Sequence, residues 1–284
     1  MSRKLIIVIT GASGFVGKKF LNLFKVKELN NVRVFAIFNK KKIFIKSKYI
    51  NFSKINLIYK NKTKNFFSRT KPDFIFHLAG LKNPAFNEKY KMKAYNTNYF
   101  ITKNILDSID KKKSKIVFLS TDKVYENNKS SSKESFFCQP SGIYAKLKLR
   151  SENLIKKKIK NYLILRIPII HDNGNYPKDS FIDKALFQIK KKQKVKIAGN
   201  VYRSFVKVDQ LAEFLFSLTN KPFKAGIFNV GSKCMSYYDR IKYLCNINKF
   251  YYKNLINKVN LDVNPLVQNL SKQKYSKNFK YKFN

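Results

Sequence analysis

Leu5–Thr10 is an unbroken apolar, mostly β-branched run that stops at Gly11, and from residue 15 to 24 apolar side chains return at helical spacing. This change of period predicts a buried strand, a tight turn and an amphipathic helix. The same reading gives strands at Val32–Phe38, 73–78, 115–120 and Tyr162–Ile167, with helical segments between them. Alternating strands and helices imply an α/β chain whose parallel sheet is doubly wound, with helices on both faces. Beyond Pro168 the regularity weakens to a helix at 181–191, a short strand Val195–Ala198, a helix at 208–219 and a strand at 227–230. From Ser236 the chain is aromatic and basic.

Thr10-Gly11-Ala12-Ser13-Gly14-Phe15-Val16-Gly17 places three glycines at intervals of three between the first strand and its helix. Lacking side chains, they let the backbone turn tightly and a pyrophosphate approach the N–H groups at the helix N-terminus. Gly11, Ser13, Gly14, Phe15, Val16 and Gly17 are therefore candidate dinucleotide contacts in a Rossmann-type sheet, although the spacing is not the common GxGxxG. An acidic residue ending the second strand would hold the ribose 2′-hydroxyl of NAD. Here Asn39-Lys40-Lys41-Lys42 stand instead, which favours a 2′-phosphate and hence NADP over NAD. Residues 1–167 read as the NAD(P)-binding domain, with 205–232 packing back on it, and 168–284 mainly as a smaller α/β substrate-binding lobe. His77, inside the apolar run 73–78, reads as a satisfied core residue, not a base.

The 60 Lys+Arg against 16 Asp+Glu invite a polyanion reading, but only seven are arginine and the lysines are scattered. Arginine is the residue that reads phosphate and guanine bidentately, so no specific nucleic-acid partner is expected. An adenine- and thymine-rich coding sequence accounts for the abundance of Lys, Asn, Ile, Phe and Tyr. Lysine triplets at 111–113, 156–158 and 190–192 follow apolar-periodic stretches, where cations complement helix C-termini. Cys138, Cys234 and Cys245 have neither CxxC spacing nor a nearby His, so no metal site or disulfide framework is expected and the cytoplasm fits best. The apolar run before Gly11 is too short for a signal segment or a membrane span.

Ser120-Thr121-Asp122-Lys123 ends the fifth strand, and Tyr144-Ala145-Lys146-Leu147-Lys148 follows in a helical segment. A spacing of four puts Tyr144 and Lys148 on one helix face. A free tyrosine titrates near 10, and a neighbouring ammonium makes it a usable proton carrier. Thr121 would bond the substrate oxygen, Tyr144 would move the proton, and Lys148 would support it.

These motifs, in this order, resemble the extended short-chain dehydrogenases over 5–232, with a fainter match beyond. The resemblance implies a nicotinamide cofactor and a nucleotide-sugar substrate. It adds Leu78, Ala79, Gly80, Lys82, Asn98 and Pro168, with Tyr144 and Lys148, to the cofactor contacts; Thr121, Asp122, Lys123 and Arg203 become the substrate contacts. Tyr202-Arg203-Ser204-Phe205-Val206-Lys207-Val208-Asp209 resembles the family segment whose arginine reaches the substrate diphosphate, which makes Arg203 the candidate for that role, and charge-assisted bonding is why an arginine suits it. Asn98 matches a helix asparagine whose role is either cofactor contact or structural. The acid that relatives carry after the third strand is missing from 55–62.

Among subtypes, Ser120-Thr121-Asp122 and the segment from Asn264-Pro265 to Lys274 resemble the dTDP-4-dehydrorhamnose reductases. Dehydratases of this family commonly place Asp-Glu after the threonine, whereas this chain has Asp122-Lys123; galactose-type epimerases place an asparagine where Ile169 or Ile170 stands. Reduction of a nucleotide 4-keto-sugar is thus the expected reaction, with 4-epimerase or 4,6-dehydratase as alternatives and an inactive cofactor-binding regulator as a third. Relatives pair through helices flanking the Tyr144 segment, which implies a possible homodimer.

Overall fold

The computed structural model describes residues 3–26, 31–40, 45–125, 131–174, 180–262 and 266–284. Lys41, Lys42, Asn264 and Pro265 lie outside the described residues. Strand β1 (Leu5–Thr10) buries Ile7, Val8 and Ile9 completely, and α1 (Phe15–Val26) turns Phe20, Leu21 and Phe24 inward. Next come β2 (Val32–Phe38), β3 (Ile50–Lys54), α2 (Lys60–Thr70) and β4 (Phe74–His77). Helices α3 (Pro84–Lys89), α4 (Lys91–Tyr95) and α5 (Ile101–Leu106) follow, the last two joined by a π-helical turn at Asn96–Phe100. Then come β5 (Lys115–Thr121), α6 (Ile143–Lys158) and β6 (Tyr162–Ile167).

After Pro168 the chain gives β7 (Ile169–His171), α7 (Phe181–Lys190), β8 (Val195–Ala198), β9 (Val201–Arg203), β10 (Phe205–Lys207) and α8 (Val208–Ser217). It ends with β11 (Gly226–Asn229), β12 (Met235–Ser236), α9 (Tyr237–Ile247), β13 (Ile256–Val259), β14 (Leu266–Gln268) and α10 (Gln273–Asn278). The stretch beyond Ser236, which shows no clear period, therefore carries regular elements. These include β14, parallel to β9, and β13, parallel to β8.

Seven parallel strands form the central sheet in the order β11-β6-β5-β4-β1-β2-β3. One face is covered by α1, α8 and the aromatic side chains of the C-terminal segment, around Phe24, Phe76, Phe214 and Phe228. The other is covered by α2, α5 and α6, around Phe67, Ile105 and Ile155. A separate core of Ile182, Leu186, Ile197, Phe205, Ile241 and Leu244 holds α7, α9 and β8 together. Strand order reverses between β1 and β4, and in open α/β sheets the crevice at the carboxyl ends beside such a reversal is where ligands bind. Among the described residues, no helix is long and apolar enough to cross a membrane.

Candidate active site

The glycine turn is shaped by its own packing before any ligand is considered. Gly11 has φ +68°, and a Cβ there would stand 2.6 Å from the Ala79 nitrogen. A Cβ on Gly17 would stand 2.4 Å from the Gly11 carbonyl oxygen. Gly14 is exposed, and a Cβ on it would meet only the Gly11 oxygen, at 3.0 Å. The first and third glycines therefore make the turn and its seat against β4, while the second keeps the helix N-terminus open. Gly17→Ala is expected to cost about 1–3 kcal/mol in urea unfolding, whereas Gly14→Ala stays within about 0.5 kcal/mol of the parent. Equal losses would contradict this division of roles.

Beyond β4 the chain breaks into Leu78, Ala79 and Gly80, which lie under the turn: the Ala79 N–H donates to Thr10 Oγ1 at 3.3 Å. His77 is 1% exposed and hydrogen-bonded to Thr10 at 2.8 Å and Thr102 at 2.9 Å. Burial, with the Lys148 charge adding to it, pushes its imidazole down to about 3. It is neutral and satisfied, a core residue as its apolar setting predicts. Asn98, in the π-helical turn, is 2% exposed; it accepts from Leu81 N–H at 2.8 Å and donates to Asn87 Oδ1 at 2.8 Å and Leu81 O at 3.2 Å. These bonds fix the 80–82 loop from behind. Asn98 thus stands behind the 80–82 loop and not at the cavity wall.

On the other side of the crevice, Thr121 ends β5 and α6 carries Tyr144 and Lys148. The Lys148 ammonium donates to Leu119 O at 2.8 Å, lies 4.5 Å from the Phe118 ring centroid, and is 6% exposed. Burial pushes it down to about 8, against the opposing charge of Glu152. Burial and the Asp122 charge push the Tyr144 hydroxyl up to about 12, with a hydrogen bond to Thr121 acting the other way. At neutral pH the pair is therefore a phenol beside an ammonium, a proton donor with a cation to steady the charge it leaves.

Asp122, 2% exposed, binds Arg203 Nη2 at 2.7 Å and accepts from Thr121 Oγ1 at 3.3 Å, and its carbonyl accepts from Gln268 Nε2 at 2.6 Å. The strand end is thus clamped to β9 and β14. A cavity of about 490 Å³ runs from the glycine turn to this clamp. Gly11, Gly14, Phe15, Val16, Gly17, Leu78, Gly80, Lys82, Thr121, Asp122, Lys123, Tyr144, Lys148, Pro168 and Arg203 all line it. Ser13, Ala79, Asn39, Lys40 and Asn98 do not, and Asn39 and Lys40 are exposed just beyond β2. Apolar Leu119, Ile167, Ile169, Ile170 and Phe181 also line it; sequence reasoning misses them because an apolar strand end looks the same whether it faces a cavity or a core. Gln268 is missed because its segment carries little periodicity. Among the described residues, no cluster of His, Cys, Asp and Glu could hold a metal.

The glycine turn and the apolar wall of this cavity fit a nicotinamide dinucleotide. A dTDP-4-dehydrorhamnose reductase of Bacillus anthracis, crystallised with NADP, superposes with a TM-score of 0.81 over 100% of this chain and 95% of its own, at 18% identity, a likeness of fold. In sequence, a dTDP-D-glucose 4,6-dehydratase of Dictyostelium discoideum is 24% identical over 85% of this chain and 62% of its own length. An ADP-L-glycero-D-manno-heptose-6-epimerase of Brachyspira hyodysenteriae is 28% identical over 80% of this chain and 76% of its own. The chain thus spans less than two thirds of the first of these relatives. The NAD dependent epimerase/dehydratase family matches residues 7–231, from within β1 to just beyond β11, and the chain belongs to that family.

Proposed function

We propose that this chain is an NAD(P)-dependent enzyme that reduces a nucleotide 4-keto-sugar. The observation that carries the reading is the convergence of the glycine turn, Thr121, Tyr144 and Lys148 on one cavity. The relatives named above act on nucleotide-activated sugars, which supports that substrate class. The Tyr144 phenol, held up by desolvation and the Asp122 charge, is in the donor form that reduction uses. A reduced nicotinamide supplies the hydride. Thr121 and Tyr144 hold the substrate carbonyl oxygen, Tyr144 gives it the proton, and Lys148 stabilises the phenolate left behind.

The Asp-Glu pair common in dehydratases of this family is replaced by Asp122-Lys123, and among the described residues lining the cavity Asp122 is the one carboxylate, engaged by Arg203 at 2.7 Å, which favours reduction over dehydration. Arg203, and Lys123 at the cavity wall, are proposed to meet the substrate's diphosphate and sugar, and Lys82 the cofactor. NADP is favoured over NAD because Asn39 and Lys40 follow β2 where an acid would repel the 2′-phosphate.

The test is a fluorescence titration with NADPH and NADH at moderate salt, which suppresses nonspecific attraction by the lysines. The coenzyme's own emission is the signal, since the chain has no Trp. Saturable binding with NADPH tighter is the expected result. Coenzyme oxidation on adding a dTDP-4-keto-6-deoxy-sugar then supports reduction. Sugar turnover without net oxidation would instead make the chain an epimerase or dehydratase, and no binding by folded, cofactor-free protein would defeat the enzyme reading.

A further inference from the structure

Behind the cavity lies a buried ionic group outside the chemistry described so far. Glu152 follows Lys148 by four residues and Tyr144 by eight on α6, so all three share one helix face. It is 0% exposed, and its partner Arg166 on β6 is 3% exposed. Arg166 Nη2 donates to Glu152 Oε2 at 2.7 Å and Nε lies 3.2 Å from both carboxylate oxygens. The same carboxylate accepts from Ser120 Oγ at 2.5 Å, and Ser120 is both the neighbour of Thr121 and the register partner of Arg166. Arg166 Nη1 also donates to Tyr125 Oη at 2.5 Å, and that hydroxyl donates to Asn229 Oδ1 at 3.1 Å at the end of β11.

One carboxylate thus ties the helix of Tyr144 and Lys148 to the carboxyl ends of β5, β6 and β11. Neither Glu152 nor Arg166 lines the cavity. A buried ion pair of this kind is weak evidence for stability, because well-packed apolar side chains of similar volume often do as well. Its placement is the informative part.

We propose that Glu152, clamped by Arg166, is a positioning residue: it holds the Tyr144–Lys148 helix in register with the Ser120–Thr121 strand end and supplies the negative charge that keeps Lys148 an ammonium. This rests on the reading of Tyr144 and Lys148 as the catalytic pair. The groups around Lys148 leave that task to Glu152. From β4 comes neutral His77, from the π-helical turn the uncharged Asn98 amide behind Gly80, and from β5 the Leu119 carbonyl, the Phe118 ring and Asp122, which is paired with Arg203 and is not among the charges acting on Lys148. From its own helix come Tyr144 and Glu152, and Glu152 is the charge that opposes the burial of Lys148. Around Glu152 itself stand Arg166, Ser120, Tyr125 and Cys138, and burial pushes both the Tyr125 hydroxyl and the Cys138 thiol up, so both are neutral.

The experiment is competitive labelling of the free protein with trace acetic anhydride across pH, reading acetylation of the Lys148 peptide by mass spectrometry against exposed lysines such as Lys157. The parent midpoint is expected near 8. Glu152→Gln removes the charge but keeps the shape, and should lower that midpoint by about 1 to 3 pH units. Glu152→Gln with Arg166→Met removes the attraction to Glu152 and also the guanidinium charge that would otherwise stand unpaired, so its midpoint should fall between the two. A purely structural role would move stability and leave the midpoint alone. A folded Glu152→Gln protein that labels like the parent overturns the proposal; if that variant does not fold, a parent-like midpoint in the double variant does so. The labelling needs neither coenzyme nor sugar, so its failure speaks to Glu152, while failure to bind NADPH speaks to the reading of the site.

Discussion

Replacing Tyr144 by phenylalanine is expected to lower coenzyme oxidation with a nucleotide 4-keto-sugar by about 10²–10⁴-fold, while NADPH affinity stays within about twofold. The substitution keeps the ring and removes the Tyr144 hydroxyl, whose residue lines the cavity together with Thr121. A proton donor acts only as the transition state forms, so its loss falls on turnover and not on coenzyme binding. The parent's pH profile should follow the other member of the pair. Lys148, pushed down to about 8, loses its proton as pH rises through that value, and with it the cation that steadies the phenolate. The rate should therefore fall on the alkaline side of about 8. A Tyr144→Phe protein that turns over like the parent would remove Tyr144 from the proton transfer, whereas a parent that binds NADPH and turns over no nucleotide sugar would be a cofactor-binding module.

The largest stability effect is expected from Arg166→Met, at about 3–5 kcal/mol in urea unfolding. The guanidinium is the principal partner of a carboxylate with no access to water, and Ser120 alone would remain to bond it. Breaking a buried pair on one side strands a charge in low dielectric, whereas removing both sides does not. Glu152→Gln with Arg166→Met should accordingly recover most of that loss. If the double variant is as unstable as Arg166→Met alone, the cost comes from lost packing around Tyr125 and not from a stranded charge.

Much of the architecture is legible in local patterns. The run Leu5–Thr10 closing on glycine, the apolar strands at 73–78 and 115–120, and the Tyr144–Lys148 spacing all encode their own conformations, because a strand's burial and a helix's face are set by neighbours a few residues away. The order of these motifs along the chain also identifies the family. β3 is poorly marked, since Ile50-Asn51-Phe52-Ser53-Lys54 carries little apolar weight and is held by pairing with β2. The helix Lys60–Thr70 buries only Thr63 and Phe67, with Phe66 partly covered, and the rest of it is polar or charged.

The parallel α/β sheet, the glycine turn and the catalytic candidates all rest on short-range spacing and can be read from the chain residue by residue. Tertiary structure alone decided which charges meet. Asp122 with Arg203, Glu152 with Arg166 and Gln268 with the Asp122 carbonyl are brought together only when the strand ends converge. It also decided the protonation states of Tyr144, Lys148 and His77, because a side chain's charge follows from how much water it loses and which charges it gains, and neither is written in the residue's own identity.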